Sequence, residues 1–182
     1  MKKHIIITAI GKDRPGIVAA VSKVLYETGC NIEDSSMTIL GNDFAMILMV
    51  TLPIKVSVSL LDKKLAAIRS KLGLSITLRP LKPAELKTAK ASHTVPCMIS
   101  VYGTDRPGIV YMISDFLAKN KVNITDVETK IISADENPVY VMMLEVNVPV
   151  EMKIARLSAA LSTLAKKLKI DITVNPIDSY QL

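Results

Sequence analysis

The chain is written twice. GKDRPGIVAAVSKVLYETGCNI, residues 11–32, lies over GTDRPGIVYMISDFLAKNKVNI, residues 103–124, at a constant offset of 92, and eleven of the 22 positions are identical. Pro53 meets Pro149 at an offset of 96, so the second copy holds about four more residues, most simply in a hairpin at Ser133 to Pro138. A repeat constrains the fold more than any single motif, because whatever one copy forms the other must form again. A chain of 182 residues then divides into two domains of about 90 residues. The expected bounds are 1–80 and 96–182, joined by a Lys-, Ala- and Pro-rich linker over 81–95.

Within the first copy, HIIITAI is a short run of β-branched residues and reads as a strand. Pro15 is expected in the first turn of a helix, where its missing N–H costs nothing, with Asp13 ahead of it as a cap or dipole partner. Ile17, Val18, Val21, Val24 and Leu25 recur at helical spacing and stop at Gly29. Asn31 to Leu40, the turn Gly41-Asn42-Asp43 and Phe44 to Leu52 read as a β-hairpin. Leu60, Leu61, Leu65, Ile68 and Leu72 mark a second helix, and Ser75 to Arg79 a last strand. The order β-α-β-β-α-β predicts an α+β chain of two ferredoxin-like domains, each an antiparallel sheet with both helices on one face. In the second copy the strands are expected near 96–102, 123–133, 138–148 and 170–175, and the helices near 107–119 and 151–168. Phe44 to Val50 is apolar on both faces, whereas a sheet with one wet face alternates. Either the other repeat or another subunit covers that face, or the run is a local edge effect.

Hydrophobic residues make up 49% of the chain and charged residues 22%, a balance that excludes disorder. The longest apolar run, Phe44 to Val50, falls far short of the roughly 18 residues of a membrane helix, so none is expected. The start, MKKHIIITAIGKDR, imitates a signal peptide, but Lys12, Asp13 and Arg14 close off its apolar part and it reads as a strand. Cys30 and Cys97 are too few for a disulfide scaffold and suit buried free thiols in a reducing cytoplasm. His4 and His93 stand alone in sequence, and no Cys/His spacing suggests a metal. Residues 1–92 hold 14 Lys and Arg against 7 Asp and Glu, while residues 93–182 hold 9 against 10. The basic excess is scattered and lacks interleaved aromatics, which favours a solvated face over a nucleic-acid surface.

No Ser/His/Asp or Cys/His arrangement is brought together by the repeat, so catalysis is not expected. No phosphate loop or dinucleotide fingerprint is present, and no cofactor is expected. Phe44, Tyr102 and Tyr140 alone lie near central-strand positions, a thin basis for an RNA-stacking sheet. What remains is the duplicated turn. At Gly11 to Gly16 and Gly103 to Gly108 a strand ends and a helix opens with free N–H groups, a geometry that suits a small carboxylate. Asp13 and Asp105 suit an ammonium group, and Asn31 and Asn123 both donate and accept at the start of the next strand. Together these groups match both ends of an amino acid. A purely structural reading serves the same residues: Gly and Pro for the turn, Asp for the cap, Asn for the corner.

GKDRPGIV followed by Asn31-Ile32, and GTDRPGIV followed by Asn123-Ile124, resemble the signature of ACT domains across nearly the whole chain. The resemblance implies ferredoxin-like regulatory modules that bind amino acids between two paired domains. It places Asp13 and Asp105, and Asn31 and Asn123, at the positions that hold an amino-acid ligand, and with their neighbours the candidate ligand-binding residues are Gly11, Asp13, Gly16, Asn31 and Ile32, and Gly103, Asp105, Gly108, Asn123 and Ile124. Where some amino-acid-binding ACT domains carry a contacting side chain two positions before the Asp, this chain departs with Gly11 and Gly103, which removes a side-chain contact and opens room for backbone approach. Two such domains and nothing else resemble the glycine cleavage system transcriptional repressor family. That implies a cytoplasmic homodimer, a small amino acid such as glycine or serine as ligand, and a protein partner such as a DNA-binding regulator, with no direct nucleic-acid or membrane contact. A ligand-free adapter that dimerises through the same domains is the alternative.

Overall fold

The computed structural model describes residues 3–85, 93–134 and 137–177. They fall into two compact units that divide near residue 88. Unit 1 runs β1 (Lys3–Lys12), α1 (Ile17–Glu27), β2 (Asn31–Leu40), β3 (Asp43–Leu52), α2 (Val58–Leu72) and β4 (Ser75–Pro80). Unit 2 repeats the order as β5 (Thr94–Gly103), α3 (Ile109–Lys119), β6 (Asn123–Ala134), β7 (Asn137–Pro149), α4 (Ile154–Leu168) and β8 (Ile170–Pro176). Each unit holds one four-stranded sheet, ordered β2-β3-β1-β4 and β6-β7-β5-β8, with every pairing antiparallel.

Alternation along the central strands places the core. Ile5, Ile7 and Ala9 of β1 and Phe44, Met46, Leu48 and Val50 of β3 are buried, and they cluster with Ile17, Val21 and Leu25 of α1 and Leu61 and Leu65 of α2. Both helices therefore lie on one face of the sheet. Unit 2 builds the same core from Cys97, Ile99 and Val101, Met142, Leu144 and Val146, Ile113 and Leu117, and Leu157 and Leu161. Truncating one of these buried leucines, Leu65 for example, removes about 2–5 kcal/mol of stability. The opposite face of the first sheet stays open, with Ile47 and Ile10 half exposed beside Ile6 and Met49.

The strand register accounts for the longer second copy. Leu40 faces Asp43 and Ile132 faces Val139 at equivalent places, and the second hairpin continues through Ser133↔Pro138 and Ala134↔Asn137. The four added residues thus form two further rungs. Of the expected linker, residues 86–92 lie outside the described residues, and Thr94 already belongs to β5. Before it, Leu81 N–H donates to the His4 carbonyl at 2.8 Å. Glu85 accepts from Lys82 N–H and then from the Arg79 guanidinium, and these bonds, in that order, hold its carboxyl below the usual range.

Two expectations need correction at the helix starts. Pro15 stands in the turn ahead of α1 and not in its first turn, because the chain enters the helix at Gly16 with φ 96°. Unit 2 does the same at Gly108 with φ 99°, so α3 begins at residue 109 and not 107. That φ lies in the left-handed region, which an L side chain rarely adopts, and it explains the glycine at both places. Asp13 does not cap α1 with its side chain; its backbone N–H donates to the Asn42 carbonyl at 2.9 Å.

Candidate functional site

Each β1–α1 and β5–α3 turn ends in a helix without a side-chain cap. Helix α2, by contrast, is capped by Ser57, whose Oγ accepts from Leu60 N–H at 3.1 Å. An uncapped start leaves N–H groups and the positive end of the helix dipole facing outward, which suits a carboxylate. In unit 1 this start opens on a recess of about 500 Å³ that runs from Asp13 to Ala19 and is bounded by Ser22, Met37 and Phe44. The Asp13 carboxylate makes no hydrogen bond or ion pair among the described residues and is exposed. A carboxylate beside uncapped N–H groups can hold the ammonium and carboxylate of one small zwitterion.

Gly11 and Gly103 take a different part from the one their sequence position suggested. A Cβ on Gly11 would lie 2.8 Å from Leu74 Cδ2, and one on Gly103 would lie 2.7 Å from Ile170 Cγ2. The room left by the missing side chain is occupied by the corner where α2 meets β4, or α4 meets β8. The glycines allow that packing.

Asn31 and Asn123 do not reach the turns of their own units. Asn31 faces Thr51, which faces His4 at the start of β1, while Asp13 follows Lys12 at its end. Eight strand steps separate the two rows, about 27 Å. Asn31 is exposed, next to the half-exposed Ile32. In unit 2, Asn123 and Ile124 border a groove of about 460 Å³ along α3, with Tyr111, Ser114, Asp115, Ala118 and Val122. The predicted residues therefore form two half-sites at opposite ends of α1 or α3.

Sequence reasoning missed several residues of these half-sites. Arg14 and Ser22 line the first recess and Ser114 the groove, and all three belong to the repeated segment, where their identity in both copies was the available signal. Tyr111 and Met37 carried no such signal. His4, solitary in sequence, has company: its Nε2 lies 3.5 Å from Glu33 Oε1, and Thr51 donates to the same carboxylate. Cys97 is fully buried, and burial pushes its thiol up, whereas Cys30 is only half-buried. Among the described residues no His, Cys, Asp and Glu group is arranged to hold a metal, and no helix is long and apolar enough to cross a membrane.

Comparison with known proteins gives the same picture twice over. A sequence model of the ACT domain matches residues 3–79 and again residues 96–175. The glycine cleavage system transcriptional repressor of Escherichia coli (strain K12) is 23% identical over 182 residues, across 98% of this chain and 92% of that protein. The crystal structure of an unknown protein from Galdieria sulphuraria superposes with a TM-score of 0.81 at 28% identity, covering 97% of this chain and 99% of that one. A structure provisionally assigned to a glycine cleavage system transcriptional repressor superposes at 0.75 with 21% identity, covering 98% and 99%, which bears on the fold.

Proposed function

This chain belongs to the ACT-domain family, one domain in each repeat, and on that premise we propose that it is a non-catalytic regulatory protein that binds a small amino acid at its strand-to-helix turns. In this reading ligand binding changes its contact with a protein partner, and regulation is the role that the name of its relative, the glycine cleavage system transcriptional repressor, carries. The observation that carries the reading is the recess at Asp13 to Ala19, where an unpartnered carboxylate stands beside an uncapped helix start. Both charges of an amino acid have a counterpart there, and the choice of glycine or serine rests on the resemblance to the glycine cleavage system repressor, not on the size of the recess.

The half-sites are completed by a second copy of the chain. Asn31 or Asn123 cannot close over the turn of its own unit, about 27 Å away along the sheet. The edge strands support this: every residue of β2 is exposed, and Met37 and Ile39 lie uncovered on the helix side of the sheet. A homodimer that buries this flank brings the Asn of one protomer to the turn of the other. Regulation then follows if the ligand binds the partner-bound and free forms with different affinity, since only differential binding shifts an equilibrium.

The alternative, an adapter that binds no small molecule, draws on Gly11 and Gly103, which contribute packing room and no side-chain contact. Thermal denaturation against a panel of common amino acids, with the mass read by light scattering, separates the two. A ligand at 100 times its Kd adds about 2.7 kcal/mol, a rise of roughly 5–10 °C where the 182 residues melt together and roughly 10–20 °C where each unit melts by itself. A rise with one small amino acid supports the sensor; a flat panel from a folded dimer supports the adapter.

A further inference from the structure

The two sheets match in register, yet their open faces, on the side away from the helices, carry different chemistry. Glu128, Glu145 and Asp171 of unit 2 stand where unit 1 has Ser36, Met49 and Ser75, and Asn175 stands where unit 1 has Arg79. With Asp126, the counterpart of Asp34, the unit 2 face gathers four exposed carboxylates, interspersed with one cation, Lys130, among the described residues of those rows. The fold does not require them, since unit 1 forms the same sheet without three of the four. Asp126 and Glu145 lie directly opposite each other on neighbouring strands, an arrangement that costs stability. Neither they nor Asp171 make a hydrogen bond or ion pair among the described residues, while Glu128 has Lys130 at 3.7 Å in an exposed pair.

Between the carboxylates the face is apolar. Met143 is 39% and Tyr102 41% exposed, beside the half-buried Met98 and Val141. Methionine, unbranched and polarizable, adapts to the shape of what it meets. Asp126 and Glu128 lie on the β6 edge and Asp171 on the β8 edge, three strand spacings away, about 14 Å. An α-helix about 10–12 Å across fits between those edges, with its apolar stripe on the methionines and its Lys or Arg side chains over the carboxylates. The chain's own basic helix, α2, with Lys63, Lys64 and Lys71, already buries Leu61 and Leu65 in the core of unit 1, so the occupant comes from another protein.

Resting on the reading of a regulator that acts through a protein partner, we propose that the open face of the unit 2 sheet is its docking surface and receives a basic amphipathic helix of that partner. The row of Tyr102 and Asp171 adjoins Gly103 and Ile170, where the chain leaves β5 for the turn. A helix on the face and a ligand at the turn therefore meet at one strand end.

The test is fluorescence anisotropy of the full chain with a labelled peptide of Leu and Lys at helical spacing, and with its Leu and Glu counterpart. The Leu–Lys peptide is expected to bind, less tightly as salt is raised, and the Leu–Glu peptide is not. Asp126→Asn, Glu128→Gln and Glu145→Gln together should weaken binding about tenfold. The variant is expected to fold, because unit 1 has uncharged Ser36 and Met49 at two of these places. Glu27→Gln, Asp43→Asn and Glu151→Gln, the same loss of charge elsewhere, should leave affinity unchanged. A wild type that does not bind the Leu–Lys peptide, equal binding of the two peptides, or equal affinity in the two triple variants overturns the assignment. So does a dimer, by light scattering, that only the first triple variant breaks apart, since a second copy then covers the face. The amino-acid panel keeps the two claims apart. A thermal shift with an amino acid beside any of these contrary results leaves the sensor reading intact, and a flat panel beside face-dependent peptide binding removes the sensor while the docking surface stands.

Discussion

Arg14, in the turn that opens α1, donates through its guanidinium to the carbonyl of Leu72, the last residue of α2. The bond fastens the turn to a helix end whose final carbonyls lack partners and carry the negative end of the dipole. Arg106, at the same place in unit 2, has no such bond among the described residues. The turn of unit 1 is braced to a helix end, and that of unit 2 has no such brace among the described residues.

Arg14→Ala should therefore destabilise unit 1 by about 1.5 kcal/mol, the low end for a charged hydrogen bond because the side chain is exposed. Arg106→Ala should change stability by no more than about 0.5 kcal/mol. Peptide-level hydrogen exchange reads the units separately. Faster exchange in α1 and α2 for the first variant only is the expected outcome, and equal effects in both units would contradict it.

Lys121 and Lys169 are the non-glycine residues at positive φ among those described, at 57° and 54°. Their counterparts in unit 1 are Gly29 and Gly73, at 69° and 62°. A left-handed L-residue costs about 1–2 kcal/mol, part of which a glycine gives back through its freer unfolded chain. Lys121→Gly and Lys169→Gly should each raise the stability of unit 2 by about 0.5–1 kcal/mol. Denaturant midpoints check this, and a loss of stability in both variants would show that the lysine side chains contribute more than the backbone costs.

Gly103→Ala places a methyl group 2.7 Å from Ile170 Cγ2 and 3.2 Å from Ile170 Cα, so β8 must shift away from β5. Overpacking of this kind costs about 1–3 kcal/mol. In an Ile170→Ala background, which removes Cγ2 itself, the same substitution should cost less. An equal cost of Gly103→Ala with and without Ile170→Ala in thermal melts would place the strain elsewhere.

The pH dependence of unit 2 follows from two groups that burial holds neutral, Cys97 and Tyr140. Both have folded values above their unfolded ones of about 8.5 and 10. As pH rises through these, the unfolded chain loses protons that the folded chain keeps, so stability falls. Full stability is expected below about pH 8, with decline beginning near 8.5 and steepening above 10. Cys97→Val should remove the first part of the decline and Tyr140→Phe the second, measured as urea midpoints between pH 7 and 10.5. Profiles that match the wild type in both variants would assign the loss to other groups.

The fold was legible because the repeat doubled every signal: two strands ending at Gly11 and Gly103, two helices with the same apolar spacing, two hairpins. The four extra residues were readable as a hairpin extension, since an insertion in an antiparallel pair lengthens both strands together. The helix starts were misjudged by two residues because Pro15 fits a first helical turn as well as the turn before it, and only the φ of Gly16 separates the two. The half-sites were legible as residue types but not as places. Asp13 and Asn31 are 18 positions apart in sequence, and a helix between them sends them to opposite ends of the sheet. Phe44 and Tyr140 take equivalent places, facing Gly11 and Gly103, and that equivalence rests on a register that no local pattern encodes.

The central claim is that a small amino acid binds at the strand-to-helix turns. The most direct measurement is residue-resolved NMR of the uniformly labelled full chain, titrated with glycine and L-serine. The account predicts saturable shifts in the backbone amides of Gly11 to Val18 or Gly103 to Tyr111, accompanied by the side-chain amide of Asn31 or Asn123. Spectra that do not move, or shifts confined to the open sheet face at Ile6, Ile47 and Met49, would contradict it.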